Sequence, residues 1–310
     1  MLVVSQTWVP RPFDSFPSNG WESTNHPPGR RLAEEGPLQL HRFLFTATLT
    51  CASRVVQVRD RLLGRVPRSR PECAGISVTQ HTIPSGKNQV DAVFVRPSSA
   101  PPQAAVLICH GIGEIVSQWF PIQQIFAENN IASLVFDYSG YGRSTGFIDW
   151  TQCEKDAISA FELLRSLAPN VPISVLGFSL GTGVAPAIIN RVTADRIVLC
   201  AGFSSFRNAA RAAWIPRFIS PLVPPIWSAA DALRDTSLPV LIVQGDRDRL
   251  FSMQMGQELL SCCGSRADFL VLPARSHNEP FYKPKQEYWG PIISWLLRED
   301  AISSGNPLTC

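Results

Sequence analysis

The stretch Ile173–Gly183, "ISVLGFSLGTG", decides how the chain is read, because it sets one serine between glycines directly after a run of strand-forming residues. Ile173, Val175 and Leu176 read as a short strand. Leu180, Val184, Ala187 and Ile188 then recur at helical spacing, so Ser179 falls where a strand becomes a helix. Two readings compete. In one, Ser179 caps the helix and has no other role. In the other it is a nucleophile on a sharp turn, with Gly177 and Gly181 relieving the crowding that such a turn creates. A G-x-S-x-G pattern arises by accident in roughly one chain in ten of this length, so the surrounding sequence has to choose.

On either side of this stretch, "AAVLICH", "IASLVFD", "RIVLCAG", "VLIVQGD" and "ADFLVLP" are continuously apolar, with helical stretches between most of them. Strands buried on both faces have that character, which gives an α/β fold: a mostly parallel central sheet flanked by helices. Ahead of them "ISVTQHTI" and "QVDAVFVR" alternate like antiparallel strands joined by a turn in "PSGKN". Thr151, three residues before Glu154, reads as a capping box opening a helix with the stripe Ala157, Ile158, Phe161 and Leu164. Ligands of such sheets sit beyond the carboxyl ends of the strands.

The 310 residues are 45% hydrophobic, enough for a large core. A net charge of +3 without a dominant basic block gives no support for nucleic acid as a partner, and "RDRLLGRVPRSR" reads as a solvated face or linker. Eight cysteines lack C-x-x-C spacing. They imply neither a disulfide framework nor a metal site, and Cys109 and Cys200 lie in apolar runs where they pack as small hydrophobes. The expectation is no metal, no cofactor and a reducing, cytoplasmic setting. Residues 1–37, dense in Pro, Gly, Ser and Asn, read as a disordered extension, and "MLVV" lacks the features of a signal peptide. Residues 38–75 read as a helical extension or linker. Within it "FLFTATLTCASRVVQV" suggests an amphipathic helix to about Leu63, and residues 38–63 are the expected membrane-surface contact. The main domain is expected over 76–298, with a tail over 299–310.

The chemistry collects at strand ends. Ser179 follows one apolar run, Asp248 follows "VLIVQGD" in the turn "GDRD", and His277 follows "ADFLVLP" in "ARSHNE". Serine attack needs a base to take its proton, and the resulting imidazolium needs a carboxylate to orient and stabilise it. The order Ser, Asp, His is that of the nucleophile-elbow architecture. Asp246 competes with Asp248, and either could be a turn residue. His110 opens "HGIGE" directly after "AAVLICH", where this architecture supplies part of its oxyanion hole. The expected donors are the amides of Ile112 and Leu180, with His110, Gly111 and Gly113 supporting the loop.

Together "HGIGE", "FDYSGYGRSTG", "GFSLG", "GDRD" and "SHNE" resemble the α/β-hydrolase superfamily, in particular its serine aminopeptidase-like and monoacylglycerol lipase-like branch, over roughly residues 76–298. The resemblance implies the catalytic positions Ser179, Asp248 and His277. It also implies a structural loop in which Asp137 and Arg143 brace the site, and a cap insertion over 203–238. That segment carries Phe203, Phe206, Trp214, Phe218, Leu222 and Trp227. Such residues suit an apolar acyl chain and would equally serve to pack the cap onto the body. The expected activity is metal-independent hydrolysis of a carboxylic ester or thioester, with lysophospholipid-like or monoacylglycerol-like substrates first. An acyltransferase, a peptidase or amidase, and a noncatalytic binding protein of the same fold are the alternatives. If residues 1 to about 70 are only an appendage, their removal leaves esterase activity.

Overall fold

Eight short segments carry the β-branched and apolar residues that suit extended backbone, and they pair into one sheet. They are β1 (Ile76–Ser85), β2 (Asn88–Pro97), β3 (Ala104–Cys109), β4 (Ile131–Phe136), β5 (Ile173–Phe178), β6 (Arg196–Cys200), β7 (Val240–Gly245) and β8 (Ala267–Leu272). The computed structural model describes residues 46, 47, 49–56, 58, 74–213 and 223–298. The expected extension over 1–37, the tail over 299–310, and Trp214, Pro216, Phe218, Pro221 and Leu222 of the expected cap lie outside the described residues.

The strand order is β1-β2-β4-β3-β5-β6-β7-β8. β1 and β2 form the expected antiparallel hairpin, β2 also runs antiparallel to β4, and every pairing from β4 to β8 is parallel. From β3 the chain moves first to β4 on one side and later to β5 on the other. That reversal leaves a crevice at the carboxyl ends of β3 and β5, where a doubly wound sheet binds its ligand.

The continuous apolar runs conceal a strict alternation. In β3, Ala105, Leu107 and Cys109 join the core on one face of the sheet, while Ala104, Val106 and Ile108 join that on the other. The first face is covered by α2 (Trp150–Leu167) and α3 (Gly181–Ile188), through Ala157, Phe161, Leu164, Val184 and Ile188. The second is covered by α1 (Phe120–Glu128) and α4 (Gln286–Leu296), through Ile122, Phe126, Trp289 and Ile293. Each such Val, Leu, Ile or Phe side chain, buried completely, contributes about 1.5–3 kcal/mol. The sheet is thereby a rigid platform for its carboxyl-end loops.

The start of α2 differs from the expected capping box. Asp149 is the N-cap, and its carboxylate accepts from the amides of Thr151 and Gln152 at 3.0 and 3.3 Å. Asp149 holds the extended conformation a cap requires and brings a full negative charge to the helix N-terminus, which places Thr151 inside the first turn. Glu154 instead pairs with Arg191 and accepts from the Trp227 indole.

Residues 46, 47, 49–56 and 58 are helical, and the rest of the 38–75 segment up to residue 73 lies outside the described residues. Leu49 is buried within the first-face core, and Ser53 is buried as well. Among the described residues no helix is long and apolar enough to cross a membrane.

Candidate active site

The turn after β5 explains the glycines of the opening stretch. Ser179 adopts φ +50°, a left-handed conformation that side-chain-bearing residues rarely hold. Its amide donates to the Cys200 carbonyl at 3.1 Å, and its own carbonyl accepts from the Thr182 amide and hydroxyl at 2.9 and 2.6 Å. Such a turn costs of order 1–3 kcal/mol in backbone strain, and these bonds hold it in place. A Cβ on Gly177 would overlap the Gly181 carbonyl, and one on Gly181 would overlap the Cys109 carbonyl at the end of β3. Backbone therefore meets backbone across β3 and β5, and Ser179 is thrust above the sheet.

His277, from the loop after β8, reaches this serine. Its Nε2 is 3.0 Å from Ser179 Oγ, and its Nδ1 is 2.7 Å from Asp248 Oδ2. An ionised carboxylate only accepts, so the geometry calls for the proton on Nδ1 and leaves Nε2 free to accept from the serine hydroxyl. The ring packs against Phe178 and Phe251 at centroid distances of 5.4 and 5.2 Å. Asp248 Oδ1 accepts from the amides of Leu250 and Phe251 at 2.8 and 2.9 Å, while Gln244 donates to Oδ2 at 3.1 Å. The side chain of Asp248 is 1% exposed and that of His277 12%. The rival Asp246 is exposed to solvent.

A cleft of about 990 Å³ opens beside this pair, lined by Asp248 and His277 with Arg247, Arg249, Leu250 and Tyr282 among its other residues. The described aromatics of segment 203–238 do not line it. Phe203 packs against Phe251, and Phe206 meets Trp227 edge to face, contacts that pack this segment onto the body.

The loop after β3 stands beside the elbow. His110 is fully buried, with Nδ1 2.8 Å from the Gly111 carbonyl and Nε2 3.6 Å from Asp137 Oδ1. Glu114 Oε2 accepts from the Gly111 amide at 2.8 Å and from the Trp119 indole at 3.0 Å. Burial holds the Glu114 carboxyl above its ordinary value, an effect that nearby His110, the Gly111 amide and Trp119 partly offset. Asp137 Oδ1 accepts from the Val116 amide at 2.8 Å. Gly111 and Gly113 frame Ile112, and Gly113 adopts φ +74°. Leu180, directly after the serine, is the N-cap of α3.

Ser179, Asp248 and His277 are thus brought together from three strand ends, and His110, Asp137 and Glu114 cluster around the neighbouring loop. Arg143 does not brace the site. Its guanidinium forks onto Asp91 of β2 at 3.0 and 3.3 Å, because Asp137 already serves Val116 and faces His110. Glu114, Gln244, Phe178 and Phe251 escaped sequence reasoning. A signal was available for two of them, since Glu114 ends the "HGIGE" motif and Gln244 is the polar residue closing an otherwise apolar strand.

A family model described as "Serine aminopeptidase, S33" matches residues 100–232. Lysophosphatidylserine lipase ABHD12 of Macaca fascicularis is 25% identical over 249 residues, covering 71% of this chain and 62% of that protein, and the Mus musculus protein gives the same figures. The chain thus spans less than two thirds of the length of these relatives. Among solved structures, the Pyrococcus furiosus esterase Pf2001 aligns with a TM-score of 0.60 at 16% identity, over 74% of this chain and 97% of its own. A cold-adapted esterase from an Arctic intertidal metagenomic library aligns with a TM-score of 0.55 at 16% identity, with the same coverages. Sheet order, crossover pattern and these likenesses agree, and the chain has the α/β-hydrolase fold.

Proposed function

We propose that the protein is a serine hydrolase that cleaves the carboxylic ester or thioester of an apolar acyl substrate through an acyl-enzyme. The observation that carries this reading is the imidazole bridging a strained serine and a buried carboxylate, at 3.0 and 2.7 Å. His277 Nε2 takes the Ser179 proton as Oγ attacks the carbonyl carbon. Asp248 holds the imidazole in the reactive tautomer and stabilises the imidazolium. The oxygen of the tetrahedral intermediate accepts from the amides of Ile112 and Leu180. Glu114 supports this choice, because it occupies the Gly111 amide and leaves Ile112 as the next donor along the loop. His277 then protonates the leaving group, and the C–O or C–S bond breaks. Water, deprotonated by the same imidazole, attacks the acyl-enzyme and releases the acid. None of these steps calls for a metal or cofactor.

Lysophospholipid-like substrates come first, because the ABHD12 relatives are lysophosphatidylserine lipases, followed by monoacylglycerols. The outward face of helical residues 46, 47, 49–56 and 58, with Val55 69% and Val58 57% exposed beside exposed Arg54, supports contact with a membrane surface. The unpaired cysteines Cys51, Cys109, Cys153, Cys200, Cys262 and Cys263 support a reducing, cytoplasmic setting.

A fluorophosphonate probe tests the nucleophile: the wild type labels and Ser179→Ala does not. Labelling that survives this change removes the assignment. Turnover of p-nitrophenyl esters of graded chain length, set beside lysophospholipids, then ranks the substrates.

A further inference from the structure

The helical residues before β1 take no part in the reaction just described, yet they touch the loop on which its geometry depends. Gly113 lies against them with no side chain between. A Cβ at this position would stand 2.5 Å from Val56 Cβ and 2.9 Å from the Ser53 carbonyl oxygen. Leu49, Ser53 and Val56 recur at i, i+4 and i+7, so they share one helix face. Leu49 anchors that face in the core, and the Ser53 hydroxyl turns back to the Thr50 carbonyl at 3.0 Å. The buried Tyr141 hydroxyl sits beside both Ser53 and the Gly113 backbone. From within, the same loop is held by Glu114 on the Gly111 amide and by Asp137 on the Val116 amide, each at 2.8 Å. Ile112 therefore lies between an inner polar anchor and an outer helical wall.

We infer that residues 49–56 brace the loop that carries the Ile112 amide, and that Val56, seated on Gly113, is a positioning residue for the oxyanion. The inference rests on the proposed role of Ile112 as a donor. Displacement of a donor by a fraction of an ångström weakens its hydrogen bond to the transition state more than any contact with the ground-state substrate. Removing the brace should accordingly lower kcat and leave KM nearly unchanged.

The test uses the full chain and a short p-nitrophenyl ester. Val56→Ala, which opens a gap of two methyl groups over Gly113, is expected to lower kcat about tenfold, part of the ~10²–10³ that follows loss of a whole oxyanion donor. KM stays within twofold, the pH profile keeps its midpoints, and fluorophosphonate labelling slows in parallel. Val56→Thr keeps the branched shape and restores kcat. Val271→Ala, an equivalent truncation at the half-exposed strand β8, leaves kcat unchanged. Wild-type kcat in Val56→Ala, or failure of Val56→Thr to restore it, overturns the brace. A wild type that neither labels nor turns over any ester overturns the hydrolase reading instead, so the two failures are distinguishable. Because position 56 is half-exposed and Val271 is exposed, all three variants are expected to fold, and thermal melts verify this.

Discussion

The elbow at 177–183 and the loop at 110–116 are glycine-bearing turns at the ends of adjacent strands, yet they are held by opposite means. The elbow is fixed chiefly by its own backbone, with the Thr182 hydroxyl adding one bond to the Ser179 carbonyl. Gly177 and Gly181 let main chain touch main chain, and Ser179 is tied to Cys200 and Thr182. The loop is fixed by side chains recruited from elsewhere: Asp137 after β4, Trp119 before α1, and Ser53 and Val56 from the helical residues ahead of β1. The first arrangement is stiff and intolerant of any added atom. The second is adjustable, since each of its anchors can be changed without forcing an overlap.

The largest change in rate is expected at the residue that joins the three strand ends. His277→Ala removes both the base and the link to Asp248, and turnover is expected to fall about 10⁴–10⁶-fold. The side chain is small and partly exposed, so the melting temperature should move by only a few degrees. Parallel ester kinetics and thermal melts check this, and a variant that melts far earlier yet keeps its specific activity contradicts it. Gly181→Ala probes the stiffness of the elbow. The added methyl meets the Cys109 carbonyl, backbone against backbone with no flexible end to yield, and a loss of ~3 kcal/mol or more in denaturant unfolding is expected. A variant that retains wild-type stability shows that the elbow can shift.

The loop answers differently because its anchor is a side chain. Glu114→Ala leaves the buried Gly111 amide and Trp119 indole without an acceptor, at about 1–3 kcal/mol for each group. It also frees the loop, and a fall of roughly 10–100-fold in kcat is expected. Both bonds run to the same oxygen, Oε2, so Glu114→Gln can keep them and should retain activity. The amide variant also separates charge from shape. Burial raises the Glu114 carboxyl above its ordinary 4.5 in the folded protein. Below that value both folded and unfolded chains are protonated. Above it the unfolded chain ionises first, and stability is lost as the pH rises through the folded value. Denaturant unfolding of wild type against Glu114→Gln should therefore diverge above pH 4.5, with the wild type losing more. Parallel curves rule out a strained carboxyl.

The sequence made the sheet and the meeting of three side chains legible, because each signal was local. A buried strand shows as an apolar run, and Ser179, Asp248 and His277 each follow one. The supports were not legible, since their roles depend on which distant segment lies nearby. "VLIVQGD" shows Gln244, but only the folded loop shows that it donates to Asp248. Helical character in residues 46, 47, 49–56 and 58 was readable from their amphipathic pattern. Nothing local to them indicated that Val56 would cover Gly113. The cap of α2 misled for a different reason: Asp149 and Thr151 both suit an N-terminus, and propensity alone does not rank them, whereas the extended backbone at Asp149 does.

The smallest effect is expected at Arg143, where resemblance and structure part company. Family likeness implies a brace of the site, whereas the guanidinium lies on Asp91 with its own side chain 64% exposed. Although Asp91 itself is 7% exposed, an ion pair whose cation is this open to solvent contributes about 1 kcal/mol. Its partner also accepts from Gln80 at 2.6 Å, so removing the arginine does not leave the carboxylate bare. Arg143→Ala should thus cost less than ~1 kcal/mol in unfolding free energy, with kcat unchanged. The 137–146 segment is secured without it, because the Ser144 hydroxyl donates to the Asp137 carbonyl at 2.6 Å and Asp156 accepts from the Ser139 amide at 2.7 Å. A clear loss of kcat with KM and stability intact would mean that the outer strand β2 transmits its position through Asp137 to the 110–116 loop, and that loop would then be braced from a third side.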